Sequence, residues 1–407
     1  MCNLPWPYLL LGSFLTTGSH ADGLTVGRNF ASTDPEIFMN ASQMITSQGY
    51  PSEEYEVTTA DGFILSINRI PHGIKHSRNG TRPPVLLQHG LLADATNWVC
   101  DGADKSLGFL LADAGFDVWL ANSRGNTWSH KHRSLSPSDA DFWAWSYDEM
   151  ATYDLPAVVD FILEVTRNQQ LFYVGHSQGT TIGMAAFSSN ASLAKKIRLF
   201  CALAPVATVG YSTSPMVKLG KVPSWVITIL FGEKDFAPQN ACLKWLSAEV
   251  CDRIIIKLLC ENVFFLFSGF NEKNLNLSQI PVYTSHCPAG TSVQNMRHWR
   301  QAVLSGKFKA YDYGSAEMNG KHYNQPQPPP YLVKNMKVPI AVWSGGQDWL
   351  ADPHDVNLLL KQLNNVVFSK RLADWEHLDF IWGLDAPRRL YFDLIKLLRK
   401  YSNTSLE

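Results

Sequence analysis

The stretch Gln170–Phe187, QLFYVGHSQGTTIGMAAF, changes character at its centre. Leu171–Val174 form an unbroken apolar run with two aromatic residues, which reads as a buried strand. From Gly179 onward the residues are mostly small and read as a helix packed close to its neighbours. Between the two lies Gly175-His176-Ser177-Gln178-Gly179. A serine at the apex of a strand-to-helix turn, with a glycine two residues away on each side, has the form of a nucleophile elbow. Gly175 and Gly179 stand where strand and helix approach most closely, so side chains there would clash. The turn projects the Ser177 hydroxyl, and the helix N-terminus behind it favours negative charge. An elbow of this kind needs a strand before it and a helix after it, so the stretch predicts local fold as well as a reactive residue.

The neighbouring segments agree with such a sheet. EYEVTTADGFILSINRI reads as a hairpin turning at Asp61-Gly62. PPVLLQHG is a short strand, SLGFLLADAG a helix stopped by Gly115, and FDVWLAN a further strand. YDEMATYDLPAVVDFILEVT reads as helical, with Pro156 starting or kinking its second part. IRLFCALAPVA follows the elbow helix as a strand. Late in the chain VPIAVWSGG, DPHDVNLLLKQL and NNVVFSKRL repeat strand, helix, strand. Leu390, Leu394, Leu397, Leu398 and Tyr401 mark the apolar face of a last helix. Strands alternating with helices predict an α/β fold with a mostly parallel sheet covered on both faces.

The alternation stops between about 208 and 334. This stretch is apolar and helical in character, is interrupted by Lys257, Glu261 and Asn262, and closes with the Pro-rich NQPQPPPYL. It reads as a cap inserted into the sheet domain. The expected organisation is a signal peptide at 1–21, a first core part at 22–207, the cap at 208–334 and a second core part at 335–407.

Composition limits the function classes. The chain has 407 residues, 45% hydrophobic and 17% charged, with a formal net charge of −1. It can bury a large core, and it shows no basic stripe for nucleic acid. The apolar run LPWPYLLLGSFL followed by Ser19-His20-Ala21 reads as an export signal, too short to span a bilayer comfortably. Sequons at Asn40, Asn79, Asn190, Asn276 and Asn403 are candidates for N-glycosylation on an exported chain. Seven cysteines, one within the signal, are too few for a disulfide scaffold. Cys242, Cys251 and Cys260 follow one another at nine-residue steps and are the place to expect a bridge. Cys201, in an apolar strand, reads as a buried thiol.

A serine nucleophile needs a base, and the base needs an orienting acid. In an elbow fold both lie downstream of the serine. Asp348 follows a strand and fits the acid. Asp352 is the alternative, with helix N-cap as its structural role. His377, in a loop after the last strand, fits the base. The oxyanion hole needs two backbone N–H groups. Gln178 supplies one, directly after the nucleophile. The QHGLLAD loop supplies the other, with Leu91 as donor, Gly90 allowing a tight turn and His89 bracing the loop. His176 reads as packed away from the serine, HKHR at 130–133 as a solvated loop, and Asp374, Glu376 and Asp379 as helix caps or solvent-facing groups. No metal or organic cofactor is called for.

LQHGLLAD, NSRGNTWS, FWAWSYDEMATYDLPA, YVGHSQGTTIG, CPAGTSVQNMRHW, VWSGGQDWLAD and EHLDFIWGLDAP together resemble the acid lipase family of α/β-hydrolases, from about Asp34 to Tyr401. The resemblance implies an α/β-hydrolase fold with a helical cap and lid, the lid near 239–268. It implies Ser177, Asp348 and His377 as a triad with Leu91 and Gln178 as oxyanion donors. It also implies a Cys251–Cys260 bridge, with Cys242–Cys251 as the alternative. SPMVKLG, LKWL and WEHLDFIWGLDAPRRLY are similar to the lysosomal branch, LAPVATV and PIAVW to the gastric branch. The expected activity is hydrolysis of cholesteryl esters and triacylglycerols at a lipid–water interface at acid pH, by a monomer in the lysosome. The alternatives are a secreted gastric-type or epidermal triacylglycerol lipase and a non-catalytic lipid-binding or adhesion protein of the same fold.

Overall fold

The computed structural model describes residues 34–75, 81–215, 217, 232–238, 269 and 271–403. The export signal, the lid segment, Asn79 and the cysteines Cys242, Cys251 and Cys260 lie outside the described residues.

The strands are β1 (Glu53–Thr58), β2 (Phe63–Ile70), β3 (Pro84–Gln88), β4 (Asp117–Ala121), β5 (Lys131–His132), β6 (Leu171–His176), β7 (Ile197–Leu203), β8 (Asp235–Phe236), β9 (Thr291–Ser292), β10 (Ile340–Gly345) and β11 (Val366–Leu372). The main sheet has the order β1-β2-β4-β3-β6-β7-β10-β11, with β5 pairing β2. From β4 to β11 every pairing is parallel, and β2 alone runs against β1 and β4. The β1–β2 hairpin turns at Asp61-Gly62, where Gly62 has φ +103°. β8 and β9 make a separate antiparallel pair.

Both faces of the sheet are buried, and period-2 alternation divides each strand between two cores. Val85, Val118, Leu120, Phe172, Val174 and Trp343 enter one core. Leu86, Trp119, Tyr173, Phe200 and Val342 enter the other. The strands therefore read as continuous apolar runs. The main helices are α1 (Ala41–Ser47), α2 (Leu107–Asp113), α3 (Leu155–Thr166), α4 (Gln178–Ser189), α5 (Val293–Ser305), α6 (Pro353–Gln362) and α7 (Phe392–Ser402). On the last of these Leu394 and Leu398 are buried, with Leu390 in the turn before it.

The structure adds detail to two local readings and changes a third, that of HKHR. The helical segment from 147 to 166 is not uniform: Met150–Asp154 form a π-helical turn before α3, and Pro156 falls in the first turn of α3. HKHR is not a solvated loop. Lys131 and His132 pair with β2, and the His132 imidazole bonds the Asp61 carbonyl at 2.8 Å. Residues 271–334 of the expected insertion pack onto the two cores of the sheet. Ile280, Val282, Tyr283 and Ala302 join one core and Phe308 and Val333 the other. Asn40 and Asn190 cap helices with their side chains, and Asn190 and Asn403 are exposed. Among the described residues no helix is long and apolar enough to cross a membrane.

Candidate active site

The end of β6 is forced into a strained turn. Ser177 has φ 54° and ψ −121°, a conformation L-residues with a Cβ rarely adopt. Its N–H donates to the Leu203 carbonyl at 3.1 Å, and its carbonyl accepts from the Thr180 N–H at 2.8 Å and the Thr180 hydroxyl at 2.6 Å. Tyr173 ties the start of α4 down by donating to the Gly179 carbonyl at 2.7 Å. The glycines are spatial requirements. A Cβ on Gly175 would stand 2.7 Å from the Gly179 carbonyl carbon, and one on Gly179 would stand 2.4 Å from the Gln88 carbonyl oxygen.

Three sequence-distant groups meet at this turn. His377 Nε2 lies 2.7 Å from Ser177 Oγ, and His377 Nδ1 lies 2.8 Å from Asp348 Oδ2. Asp348 Oδ1 accepts the N–H groups of Leu350 at 2.9 Å and Ala351 at 2.8 Å and itself lies 3.1 Å from His377 Nδ1, so backbone bonds anchor the carboxylate while both its oxygens face the imidazole. Asp348 and His377 are buried, whereas Ser177 is partly exposed. The loops carrying them interlock. The Gly346 N–H donates to the Leu372 carbonyl and the Gln347 N–H to the Trp375 carbonyl. A Cβ on Gly346 would stand 2.2 Å from the Ala373 carbonyl oxygen. Asp352 caps α6 by accepting the His354 N–H at 2.7 Å.

The loop after β3 packs against the elbow. A Cβ on Gly90 would stand 3.0 Å from Ser177 Cβ. Gly90 is thus favoured by close approach and not by turn geometry; the left-handed residue of this loop is Leu92, φ 61°. His89 braces the loop. Its Nε2 accepts the Ser123 N–H at 3.0 Å, which leaves Nδ1 to donate to the Gly90 carbonyl at 2.8 Å. Burial lowers the pKa of this imidazole. The NSRGNTWS segment forms the rest of the support. Asn122 accepts the Ala95 N–H, Asn126 donates to Asn122, and Trp128 donates to Asp94 at 2.7 Å.

Two roles were not assigned from the residues alone. His176 is buried with its ring 4.9 Å from that of His377, and its Nε2 donates to the His377 carbonyl at 3.0 Å and holds that loop. Burial, and then the neighbouring His377, depress its pKa far below the ordinary imidazole range. The Gln178 side chain is also buried. Its Oε1 accepts from Asn295 Nδ2 at 2.9 Å and Trp299 Nε1 at 2.7 Å, both on α5. The presence of these residues in CPAGTSVQNMRHW was the available signal. Their partner could not be read from it, because the contact spans 117 and 121 residues.

The acidic groups around His377 divide. Asp374 is exposed and pairs with Arg389. Asp379 accepts from Asn271, Asn274 and the Glu376 N–H. Glu376 corrects the expectation that it faces water. It is 9% exposed, and its Oε2 has no hydrogen-bond partner among the described residues. Burial, reinforced by Asp348 and then Asp379, pushes its pKa up to about 8. Its ordinary value is 4.5, so below that pH folded and unfolded chains are both protonated there and nothing is lost. As pH rises toward 8 the unfolded chain ionises while the folded one holds its proton, and stability falls. Glu376→Gln cannot ionise. Its melting temperature should match wild type at pH 4 and exceed it by about a few degrees at pH 8. Differential scanning calorimetry across that range checks this; an equal offset at both ends contradicts it.

The sheet order, the elbow and the loops beyond the strand ends are those of the α/β-hydrolases. A family model described as the alpha/beta hydrolase fold matches residues 83–384, and one for a partial alpha/beta-hydrolase lipase region matches residues 41–102. A solved structure of a candidate aryl esterase from Burkholderia cenocepacia has a TM-score of 0.50 at 18% identity, covers 86% of this chain and 100% of its own, and is a likeness of fold alone. Human lysosomal acid lipase/cholesteryl ester hydrolase is 61% identical over 383 residues, which is 94% of this chain and 96% of that protein. Human gastric triacylglycerol lipase is 58% identical over 365 residues, 89% of this chain and 92% of that protein. The chain belongs to the acid lipase family of α/β-hydrolases, carboxylic ester hydrolases that act on lipids.

Proposed function

We propose that the protein hydrolyses cholesteryl esters and triacylglycerols at acid pH through Ser177, His377 and Asp348. The observation that carries this reading is the continuous hydrogen-bonded run from Asp348 through His377 to Ser177 Oγ. Ser177 Oγ attacks the ester carbonyl while its proton passes to His377 Nε2. Asp348 accepts from Nδ1 and stabilises the imidazolium. The carbonyl π pair becomes an oxyanion, held by the Leu91 and Gln178 N–H groups. On collapse the alkoxy C–O bond breaks and His377 Nε2 returns the proton to the leaving alcohol. Water, deprotonated by His377, then releases the fatty acid and restores Ser177.

The substrate class rests on the relatives, one named for cholesteryl esters and acid lipase activity and the other for triacylglycerol. A lysosomal or secreted destination fits both. The greater identity to the lysosomal relative favours cholesteryl ester as a substrate. Comparing turnover of cholesteryl oleate and triolein from pH 4 to 8 tests this, and turnover of triolein alone contradicts it. Ser177→Ala should abolish turnover and labelling by a fluorophosphonate while leaving secretion and melting temperature unchanged; retained labelling would sink the assignment.

A further inference from the structure

The Gln178 side chain has one orientation available. Trp299 Nε1 is a donor and never an acceptor, so the atom facing it at 2.7 Å must be the Gln178 carbonyl oxygen. Asn295 is fixed in the same way. Its Oδ1 accepts the Tyr147 N–H at 3.0 Å, so its Nδ2 is the group that donates to Gln178 Oε1 at 2.9 Å and to Thr291 Oγ1 at 3.0 Å. Gln178 Nε2 faces Met150 Sδ at 3.6 Å, in the π-helical turn. Gln178 and Asn295 are buried. The β8–β9 pair leads directly into α5, and the Ala289 N–H is bound by the Leu92 carbonyl at 2.7 Å, so the same segment touches both sides of the oxyanion site. Such a satisfied polar network orients its members more sharply than packing alone.

This clamp acts on a mechanically sensitive point. The direction of the Gln178 N–H is set by Ser177 ψ and Gln178 φ, and Ser177 sits in a strained conformation that relaxes unless it is held. We infer that the Gln178 side chain, gripped by Asn295 and Trp299, positions the oxyanion-hole amide, and that α5 is thereby a positioning element of the catalytic site. The inference rests on the proposed use of Gln178 as an oxyanion donor.

Gln178→Met, Gln178→Glu and Trp299→Phe in the full-length protein test it, with p-nitrophenyl butyrate as substrate and a fluorophosphonate as probe. Gln178→Met removes the acceptor and keeps the length of the side chain. It should lower kcat about tenfold or more, since displacing an oxyanion donor costs part of the hundredfold or greater loss seen on deleting one. KM should stay within about twofold, because the amide acts on the oxyanion and not on bound ester. Fluorophosphonate labelling of Ser177 should slow in parallel, as the phosphoryl oxygen uses the same hole. Gln178→Glu keeps an acceptor for both donors and should recover most of kcat at pH 5. Trp299→Phe keeps a ring, removes one donor and should lower kcat several-fold, which provides the test if Gln178→Met fails to fold. Normal kcat in a folded Gln178→Met or in Trp299→Phe, with Ser177→Ala inert, overturns this inference alone. Turnover by Ser177→Ala overturns the reading of the site itself.

Discussion

Asp348→Asn should lower kcat by about 10⁴-fold, the scale of losing the orienting acid of a triad, with little change in melting temperature. The cause is the hydrogen-bond pattern around the carboxylate. Asp348 Oδ1 accepts two backbone N–H groups, from Leu350 and Ala351. In the asparagine variant only the amide oxygen can keep those bonds, so the NH₂ replaces Oδ2, which is the nearer oxygen to His377 Nδ1 at 2.8 Å against 3.1 Å for Oδ1. An NH₂ only donates, so pairing with it makes Nδ1 the acceptor and moves the ring proton to Nε2. Nε2–H then faces Ser177 Oγ and cannot take its proton. Steady-state kinetics on a soluble ester measures the loss. A tenfold decrease or less would mean that Asp348 does not set the tautomer. The backbone anchors explain why the effect should be chemical and not structural.

The largest expected loss of stability is at Arg124. Its guanidinium is 1% exposed, bonds Asp154 through Nε at 2.9 Å and Nη2 at 2.6 Å, and bonds Asp61 through Nη1 at 2.7 Å and Nη2 at 3.1 Å. It also lies 4.2 Å from the centre of the Phe63 ring. One residue thus joins the β1–β2 hairpin turn, the loop after β4 and the start of α3. Arg124→Met leaves two carboxylates facing each other without a cation, one of them buried. Removing one partner of a buried pair costs about 3–5 kcal/mol, which corresponds to roughly 5–10 °C in melting temperature at neutral pH. Burial already raises the Asp154 pKa, against Arg124, which lowers it. Without Arg124 both carboxyls should take up protons more readily, so the deficit should shrink as pH falls toward 4. Arg124→Met/Asp154→Asn should recover part of the loss at neutral pH. Calorimetry on the two variants checks both points. A deficit independent of pH would show that lost packing over Phe63, and not unpaired charge, is the cause.

The residues differ in how far they could be read without a fold. Ser177 was legible because the elbow is a local device: strand, glycine, serine, glycine and helix lie within one stretch, and each residue type answers a steric demand made by its neighbours. The β1–β2 hairpin, the buried strands and the last helix were legible for the same reason, since periodicity and turn chemistry act over a few residues. Asp348 and His377 were candidates by chain order and loop position. The structure brings their atoms within 2.8 Å, across 29 residues.

Other features depended on contacts that no local pattern encodes. Glu376 and Asp374 are both acidic and stand two residues apart, yet one is buried beside Asp348 and the other is exposed on Arg389. Gln178 was read for its backbone alone, whereas its side chain is where α5 meets the elbow. HKHR read as solvated because β-pairing of two residues leaves no periodic trace. The local sequence was sufficient for the sheet, the elbow and the order of the candidate groups, because those follow from steric and hydrophobic preferances of adjacent residues. Tertiary structure alone decided which carboxyls lose water, which imidazoles stay neutral and which distant helix holds the serine's neighbour, because desolvation and hydrogen-bond partnership depend on what the chain packs against them.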